Sequence, residues 1–562
     1  MKADLTRDTF RSFKHFRRVL MQQGRVQLDA DWNEQGAILL HYLQSLARDL
    51  IGQAGGTEGA FAISPVPFTP AVTTDFRIGL GDYYVDGILC EAESNPVYVF
   101  QPGSITATSA VVTADRLTLD GAEFQANQFV ELFDDATLPL TAAFSPIVVQ
   151  ITSVDPVKRQ LTLAGPFAGP LGTGLSTASN PELRRVITYL TQPDYPEPDP
   201  LPTGGSYLVY LDAWERHITY IEDDHIREVA LGGPDTATRA KAVWQVKVAS
   251  GTVGNPNSPC DNFNPSDKTL LPLIFGILRG RLKAMAQQKS VSTDPCIIPP
   301  DTNYRGAENQ LYRVEIHRPG AAWNGSDDPQ STVAATFKCS RENGSVVFSV
   351  VSVATGSGIT TVVLENLGRD DRFGLSEGDW VELVDDAYVL QNTASNLLRV
   401  QAIDSGLLKV TLTGTANPEI VSNTAGHRLL RRWDQTAGDP AEGGLTLGSD
   451  NAALVQESSD GNWLVLEDGV QIQFQPPVPG RPPNQYRTGD YWLIPARTAT
   501  SDVEWPRETV KDSSGASVIV PIAKLPDGIQ HHYAPLAVVN VTDGGISVVK
   551  PDCRKLIKLS TS

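Results

Sequence analysis

One early segment of the chain, residues 32–51, repeats its hydrophobic residues with a helical period. The leucines on this period are separated by four, three and four residues: Leu39, Leu43, Leu46 and Leu50. This spacing places side chains on one face of a helix. Asp31 and Glu34 have the spacing of a capping box, and Gly52 can end a helix in the left-handed conformation. The sequence therefore predicts an amphipathic helix from Trp32 to Ile51.

The apolar face of this predicted helix is wide enough to require a cover. Its members are the candidate interface residues Trp32, Ile38, Leu39, Tyr42, Leu43, Leu46 and Leu50. The cover can be the β domain of the same chain, or the same helix from other copies, which would form an oligomeric stalk. About two heptads are too few to decide between these alternatives from the period alone.

Most of the remaining sequence has the pattern of a β protein. Short runs of Val, Ile and Thr are separated by turn residues, among 47 Gly and 39 Pro in the chain. Asp86-Gly87 and Asp468-Gly469 predict tight hairpins within residues 82–91 and 464–474. Residues 207–221 predict one long strand, apolar on both faces in its first half.

An internal repeat defines two further modules. "NQFVELFDD" at 127–135 matches "GDWVELVDD" at 378–386, and similar tails follow at 148–165 and 397–414. Two such stretches predict one small β-barrel-like module of about 60 residues that is used twice. The predicted fold is therefore mainly β with an N-terminal α-helical segment: a multidomain, antiparallel β scaffold with two inserted small β-barrel-like modules.

These patterns divide the chain into predicted domains. They are an N-terminal helical docking or oligomerisation segment (1–58), a central β scaffold (59–103 and 168–345), inserted β modules (104–167 and 346–416) and a C-terminal β domain (417–562).

Charge and apolar runs narrow the class of partner. The net charge is −19, which disfavours nucleic acid and anionic membranes as partners. The one dense basic cluster is interpreted as a solvated surface: Arg11, Lys14, His15, Arg17 and Arg18. Residues 1–18 contain no apolar core of a signal peptide, and the apolar run at 270–278 is too short to span a bilayer. We expect a protein made in the cytoplasm without a signal peptide.

The cysteines and histidines predict no metal or cofactor site. The five cysteines are Cys90, Cys260, Cys296, Cys339 and Cys553. Their odd number and the lack of a CxxC motif argue against a disulfide framework and favour a reducing compartment. His531 and His532 are adjacent, so on a strand they would point to opposite faces and chelate poorly.

A carboxylate cluster offers one candidate for catalysis. Asp212, Glu215, Asp223 and Asp224 could supply an acid/base pair for glycoside hydrolysis, with Trp214 as a sugar platform. The alternative is a solvated acidic turn beside a core tryptophan. The chain lacks the nucleophile elbow, P-loop, dinucleotide-binding and zinc-protease motifs. We therefore predict a protein that is not an enzyme, and leave the chemical role of Asp212 and Glu215 open.

The opening of the chain carries a family resemblance. "DLTRDTF" followed by "HFRRVLMQQGRVQLDADWNEQ" resembles the start of an uncharacterised family encoded beside contractile injection systems, the phage-tail-like particles of bacteria. Further blocks of that family resemble "YRVEIHRPG", "ATFKCSRENGSVVF", "GDYWLIPARTAT" and "DGIQHHYAPLAVV". The same opening is similar to phage baseplate and fibre proteins, in which an N-terminal helix gathers copies around an axis. Asp29-Ala30-Asp31 departs from the pattern of those proteins.

The resemblance implies a structural component of a contractile particle, baseplate-associated or fibre-like, which acts by assembly. Its partners would be other particle subunits and copies of itself, with a trimer favoured, and a surface glycan is a further candidate. Nucleic acid and direct membrane insertion are not implied. The particle could be released from the cell. Two alternatives remain: a glycan-binding or glycan-cleaving tail-spike-like module, and a cap or adaptor at another position on the particle.

Overall fold

The structure is a computed structural model of the chain. It describes residues 1–65, 75–92, 97–119, 122–134, 147–167, 170–202, 204–252, 260, 279–286, 304–423, 426–459, 461–511, 514–542, 545–550 and 552–557. The apolar run at 270–278 and Cys296 lie outside these residues. The chain divides into two compact units. Unit 1 comprises 1–41, 215–241 and 277–530, and unit 2 comprises 42–214, 242–276 and 531–562.

The fold is mainly β, as the sequence predicted. Within the described residues, the α-helices are α1 (Asp29–Ile51), α2 (Pro170–Thr177), α3 (Asp386–Gln391) and α4 (Pro418–Ser422). Single 3₁₀ turns occur at Ser12–Lys14, Tyr189–Thr191, Asp224–Ile226, Val229–Leu231 and Pro440–Glu442. No helix within the described ranges is long and apolar enough to cross a membrane.

Helix α1 ends where the sequence predicted but begins earlier. Gly52 takes φ +95° and its N–H donates to the Arg48 carbonyl at 2.8 Å, which confirms the C-cap. The proposed capping box was wrong, because the Asp31 N–H already donates to the Leu28 carbonyl at 3.2 Å, inside the first helical turn. Glu34 instead accepts a hydrogen bond from a preceding segment of the chain.

Three antiparallel sheets and their core make up much of unit 2. One sheet has the strand order Arg239–Thr252, Gly205–Ile218, His532–Thr542, Gly545–Lys550. A second has the order Ala54–Gly56, Gly81–Val85, Ile88–Ala92, and the third pairs Ile63–Ser64 with Arg77–Ile78. Asp86 and Gly87 both take positive φ in the predicted hairpin, which confirms that turn. Tyr83, Val209 and Trp244 belong to the buried core of this unit.

Unit 1 contains the other sheets of the scaffold. A five-stranded sheet has the order Ala453–Leu454, Thr336–Ser340, Gln310–Ile316, Tyr491–Arg497, Asp502–Val503. A three-stranded sheet has the order Arg281–Ala286, Val470–Gln475, Leu464–Val465, and Arg507–Lys511 pairs with Ser517–Pro521. The hairpin at Asp468-Gly469 is confirmed, since both residues take positive φ there. Phe337, Phe474 and Trp492 lie in the buried core of the unit.

Among the described residues, each unit contains a closed six-stranded barrel. Barrel A, in unit 2, has the order Phe129–Asp134, Ile147–Asp155, Gln160–Ala164, Ser109–Ala114, Tyr98–Ile105, Pro181–Val186. Barrel B, in unit 1, has the order Trp380–Val384, Leu398–Asp404, Lys409–Thr413, Ile359–Leu364, Val347–Gly356, Leu429–Trp433. Beside barrel A, Thr118–Leu119 pairs with Ala122–Glu123.

The two barrels share one topology, which confirms the repeated barrel-like module. Starting from the strand that carries the repeat motif, strands are joined in the same order in both. Barrel A continues past the predicted module boundary at 167, and barrel B past the one at 416. In each barrel a sixth strand is needed for closure, because it pairs with the strand that carries the repeat motif. Pro181–Val186 closes barrel A and Leu429–Trp433 closes barrel B.

A disulfide joins two of the five cysteines, which the argument against a disulfide framework did not predict. Cys260 and Cys553 are joined, although 293 residues separate them in sequence. The pair packs in unit 2 against Leu208, Ala249 and Val538. Sequence spacing could not indicate this pair, because only the folded sheet brings the two cysteines together.

Candidate functional site

Helix α1 presents an apolar face to solvent. Most of the predicted interface residues are exposed: Trp32, Leu39, Tyr42, Leu43, Leu46 and Leu50. Trp32 and Leu50, near the two ends of the helix, are 79% and 77% exposed. Ile38 is the exception at 4%, so it serves the chain's own packing rather than an external contact.

The exposed residues form one line along the helix. At about 100° per residue, Trp32, Leu39, Leu43, Leu46 and Leu50 all lie within about 40° of a common direction. We call these five residues the leucine stripe. The buried residues of α1, Ala30 and Ile38, lie more than about 100° away around the helix. The helix therefore packs on its own chain with one side and leaves the leucine stripe on another.

The N-terminal residues of the chain cover the buried side of the first half of α1. The Thr6 N–H donates to the Asp29 carboxylate at 2.9 Å, and the Thr9 hydroxyl donates to Glu34 at 2.7 Å. The Phe10 ring lies 5.5 Å from the His41 ring between centroids. These contacts fix the rotation of the helix, and thereby the direction of the leucine stripe.

The last turns of α1, residues 42–51, belong to unit 2 and are held there by contacts to their backbone carbonyls. Gly87 approaches the helix so closely that a Cβ on it would clash with the Gln44 carbonyl oxygen. The Lys555 ammonium donates to the Ile51 carbonyl at 2.6 Å, near the negative end of the helix. Gln44 also lies well away from the leucine stripe around the helix. These attachments therefore leave the stripe uncovered.

The segment before the helix is exposed as well. We call residues 9–28 the arm. Every residue from Arg11 to Leu28 is exposed except the half-buried Val19. The large apolar side chains among them are Phe13, Phe16, Leu20, Met21, Val26 and Leu28. The Val19 N–H donates to the Gln35 side chain at 2.8 Å, which ties the middle of the arm to α1.

A buried charged cluster in unit 1 anchors the residues that precede the arm. The Lys2 ammonium pairs with Glu315 at 2.9 Å, and Arg313 pairs with the same carboxylate at 2.6 Å. Asn343 donates to the carbonyls of Met1 and Ala3. Burial alone would raise the pKa of Glu315, but the neighbouring cations outweigh it and hold the pKa well below its usual range. The arm therefore starts from a fixed point.

The carboxylate cluster proposed from sequence does not form an acid/base pair. Asp212 and Glu215 are three residues apart on strand Gly205–Ile218, so they point to opposite faces; Asp212 is buried and Glu215 is exposed. Asp223 and Asp224 lie at a surface turn, where Asp223 caps the 3₁₀ turn and Asp224 pairs with Arg227 at 2.8 Å. This arrangement is the solvated-turn alternative.

Asp212 instead belongs to a cluster that the sequence did not indicate. Its carboxylate lies 2.8 Å from Lys247 Nζ and 2.7 Å from His531 Nδ1. Burial would raise the pKa of Asp212, but His531 and Lys247 outweigh it and lower the pKa. Trp214 is 3% exposed and its ring lies 4.8 Å from that of His531, so it is a core residue rather than a sugar platform. The Tyr533 ring also stacks on the His531 ring, with 5.9 Å between the ring centroids.

The neighbouring histidine has a separate carboxylate partner. His532 Nδ1 lies 2.9 Å from Asp86 at the hairpin turn. Within the described residues, no three His, Cys, Asp or Glu side chains group closely enough to hold a metal ion. The prediction that the protein binds no cofactor stays a prediction.

The internal repeat contains a buried glutamate whose role the sequence analysis did not predict. Glu131 in barrel A and Glu382 in barrel B occupy the same place in the repeat motif, and both are buried. Glu131 pairs with Arg77 at 3.1 Å, and Glu382 pairs with Lys338 at 2.6 Å, each partner coming from outside the barrel. Burial would raise the pKa of each glutamate, but these cations outweigh it and lower the pKa. Each barrel is therefore attached to its own unit by an equivalent buried ion pair.

A short motif in the closing strands could have revealed this equivalence. Leu183-Arg184-Arg185 and Leu430-Arg431-Arg432 occur after the two repeats. In the barrels, Glu131 is opposite Arg184 and Glu382 is opposite Arg431. The tripeptide was too short to stand out before the pairing register was known.

Comparison with known proteins identifies a family but no activity. The family model described as "Family of unknown function (DUF6519)" matches residues 1–108, 201–259 and 249–561. No curated protein and no solved structure matches the chain. The arm, α1 and barrel B lie within the matched ranges, whereas most of barrel A, residues 109–200, lies between them.

Proposed function

Because the chain belongs to this family of unknown function, we propose its role from its own geometry: it is a structural subunit that assembles through helix α1. The leucine stripe is the observation that carries this proposal. It is apolar, exposed and directed away from the side of α1 that the chain covers itself. Large exposed apolar patches on soluble proteins commonly mark interaction surfaces.

The spacing of the residues in the leucine stripe favours α1 of other copies as the partner that covers the stripe. Trp32, Leu39, Leu43, Leu46 and Leu50 fall on the a and d positions of a heptad, with Gly36 at the one remaining position. Helices with this pattern pack side by side and bury the seam between them. We propose a homo-oligomer, with a trimer favoured by the similarity of the opening to phage baseplate and fibre proteins.

The particle to which the subunit belongs is the second part of the proposal. The resemblance of the opening blocks supports a contractile injection system, with a baseplate-associated or fibre-like position, or a cap or adaptor position. The disulfide between Cys260 and Cys553 supports exposure to an oxidising medium, as on a released particle. The barrels would act as projecting or bridging modules.

The geometry favours no second function. Glycan cleavage at Asp212 and Glu215 has lost its acid/base pair, and Trp214 is buried. Glu215→Gln, at the exposed carboxylate of the proposed pair, therefore serves as a control that should leave particle assembly unchanged.

Electron microscopy of particles from a strain that lacks this chain tests the proposal. We expect one density at the baseplate, the fibres or the cap to disappear, and to return when the wild-type gene is supplied. Complete particles with unchanged density in the deletion strain would contradict a structural role.

A further inference from the structure

We propose that the arm, residues 9–28, is a second docking element that binds a neighbouring copy of this chain in the assembly built by α1. This inference rests on the proposed function and names the partner of a different surface. The arm combines exposed apolar side chains, which indicate a docking surface, with positive charge, which indicates a partner of opposite charge.

The charge of the arm is opposite to that of the rest of the chain. It holds five of the 46 Lys and Arg residues and none of the 65 Asp and Glu residues. The rest of the chain therefore has 41 basic and 65 acidic residues, a net charge of −24. Another copy of the chain is thus electrostatically complementary to the arm.

The positive charges of the arm are largely unused within the chain. Arg11 lies 4.0 Å from Asp8, and the Lys14 ammonium lies 5.7 Å from the centroid of the Phe16 ring. Among the described residues, no carboxylate lies within ion-pair distance of Arg17, Arg18 or Arg25. The interpretation of this cluster as a merely solvated surface does not account for the exposed phenylalanines between the charges.

The apolar residues of the arm indicate burial in the assembled state. Phe13 is 72% exposed, Leu20 is 69% exposed and Val26 is 82% exposed. These side chains stabilise nothing while they remain in water, whereas burying each of them against a partner would contribute favourable hydrophobic free energy. Basic and aromatic residues together form a surface suited to an acidic protein.

The fixed ends of the arm suit it to docking. Lys2 and its buried partners hold the start, α1 follows its end, and Gln35 ties the middle at Val19. Ordering such a segment on a partner costs little conformational entropy. The copies gathered by the leucine stripe would lie directly beside the arm, so a second copy is the occupant that needs no additional protein.

Anionic membranes and nucleic acid fit less well. Both would attract the arm, but the net charge of −24 on the remaining residues would repel them. They are therefore alternative outcomes of the test rather than the proposal.

Isotope-mixed cross-linking tests the inference directly. Lys14 is the single lysine of the arm. Equal amounts of ¹⁴N- and ¹⁵N-labelled full-length chains are mixed, assembled and treated with a carbodiimide, which joins lysines to contacting carboxylates. We expect mass spectrometry to find cross-links from Lys14 that join light to heavy peptides in about half of the cases, the statistical share for contacts between copies.

A charge variant and a matched control sharpen the test. The triple variant Arg11→Glu, Arg17→Glu, Arg18→Glu should reduce the mixed Lys14 cross-links at least about tenfold and remove their sensitivity to salt, while the oligomer persists. Arg116→Glu with Arg281→Glu, at exposed arginines outside the arm, should change neither.

The outcomes separate this inference from the proposed function. An oligomer in which Lys14 forms only same-mass cross-links, or none, would overturn the inference alone. Binding of the wild-type chain through the arm to phosphatidylserine vesicles or to duplex DNA, without mixed cross-links, would also overturn it. A wild-type monomer would overturn the proposed function and this inference together.

Discussion

The leucine stripe makes a prediction that can be worked out from its exposure. In the variant Leu43→Glu with Leu46→Glu, two central residues of the stripe become charged. Leu43 is 59% exposed and Leu46 is 44% exposed in the single chain. Full burial of a leucine contributes about 1.5–3 kcal/mol, so burying these exposed parts contributes about 1 kcal/mol each.

The loss on substitution should be larger than this hydrophobic contribution. Removing about 2 kcal/mol per chain weakens association about 30-fold. Two carboxylates in the seam add a desolvation cost, which brings the expected loss to at least about 100-fold. Glutamate is a good helix former, so α1 itself should remain helical.

Sedimentation equilibrium over a wide concentration range measures this effect. We expect the wild-type chain to show an oligomer at micromolar concentration and the variant to show a monomer, with the same circular dichroism spectrum. The matched control is Leu231→Glu with Leu407→Glu, two leucines that are 66% and 65% exposed outside α1. The control should associate like the wild type.

Two results would refute the reasoning. If the double variant associates with wild-type affinity, the leucine stripe is not the seam. If the wild-type chain is monomeric at micromolar concentration, another protein or the chain itself covers the stripe, and homo-oligomerisation through α1 is wrong.

Three further predictions concern stability. Burial raises the pKa of Asp75 to about 6 from 3.8, so its protonated form stabilises the fold below pH 3.8 and this contribution is lost as the pH rises through 6. Asp75→Asn should therefore raise the free energy of unfolding in urea by up to about 2–3 kcal/mol over wild type at pH 7.5, but by little at pH 4. An equal difference at both pH values would contradict this. Cys553→Ser should lower the free energy of unfolding by about 3–5 kcal/mol without reductant and by almost nothing in dithiothreitol. The reason is that the bond to Cys260 joins residues 293 positions apart and so restricts the unfolded chain. A loss that persists in reductant would point to packing instead. Lys2→Met removes one partner of the buried Glu315, so it should lower the free energy of unfolding by about 2–3 kcal/mol and expose the start of the chain to proteolysis. If the variant resists protease as well as the wild type, this anchor is dispensable.

Local patterns in the sequence predicted a large part of the fold and of the candidate site. The period of the leucines gave the helix and the identity of its apolar face, and Gly52 gave its end. Asp86-Gly87 and Asp468-Gly469 gave two hairpins, because a turn of two residues depends on those residues alone. The repeated motif gave two barrel-like modules, since equal sequences have equal local preferences.

Contacts between distant residues were outside the reach of these patterns. Helical periodicity cannot tell which side of α1 its own chain covers, and that side is set by Thr6, Thr9 and Gly87 through tertiary contacts. The partner of Asp212 is His531, 319 residues away, whereas the nearby Glu215 points to the opposite face.

The same division applies to the charges and cysteines. The sequence by itself determined that residues 9–28 are basic and that the rest of the chain is acidic. Only the tertiary structure decided that the arm lies exposed, that Cys260 meets Cys553, and that a sixth strand closes each barrel. The physical reason is that periodicity and turn preference act over a few residues, whereas burial and pairing depend on which distant segments the folded chain brings together.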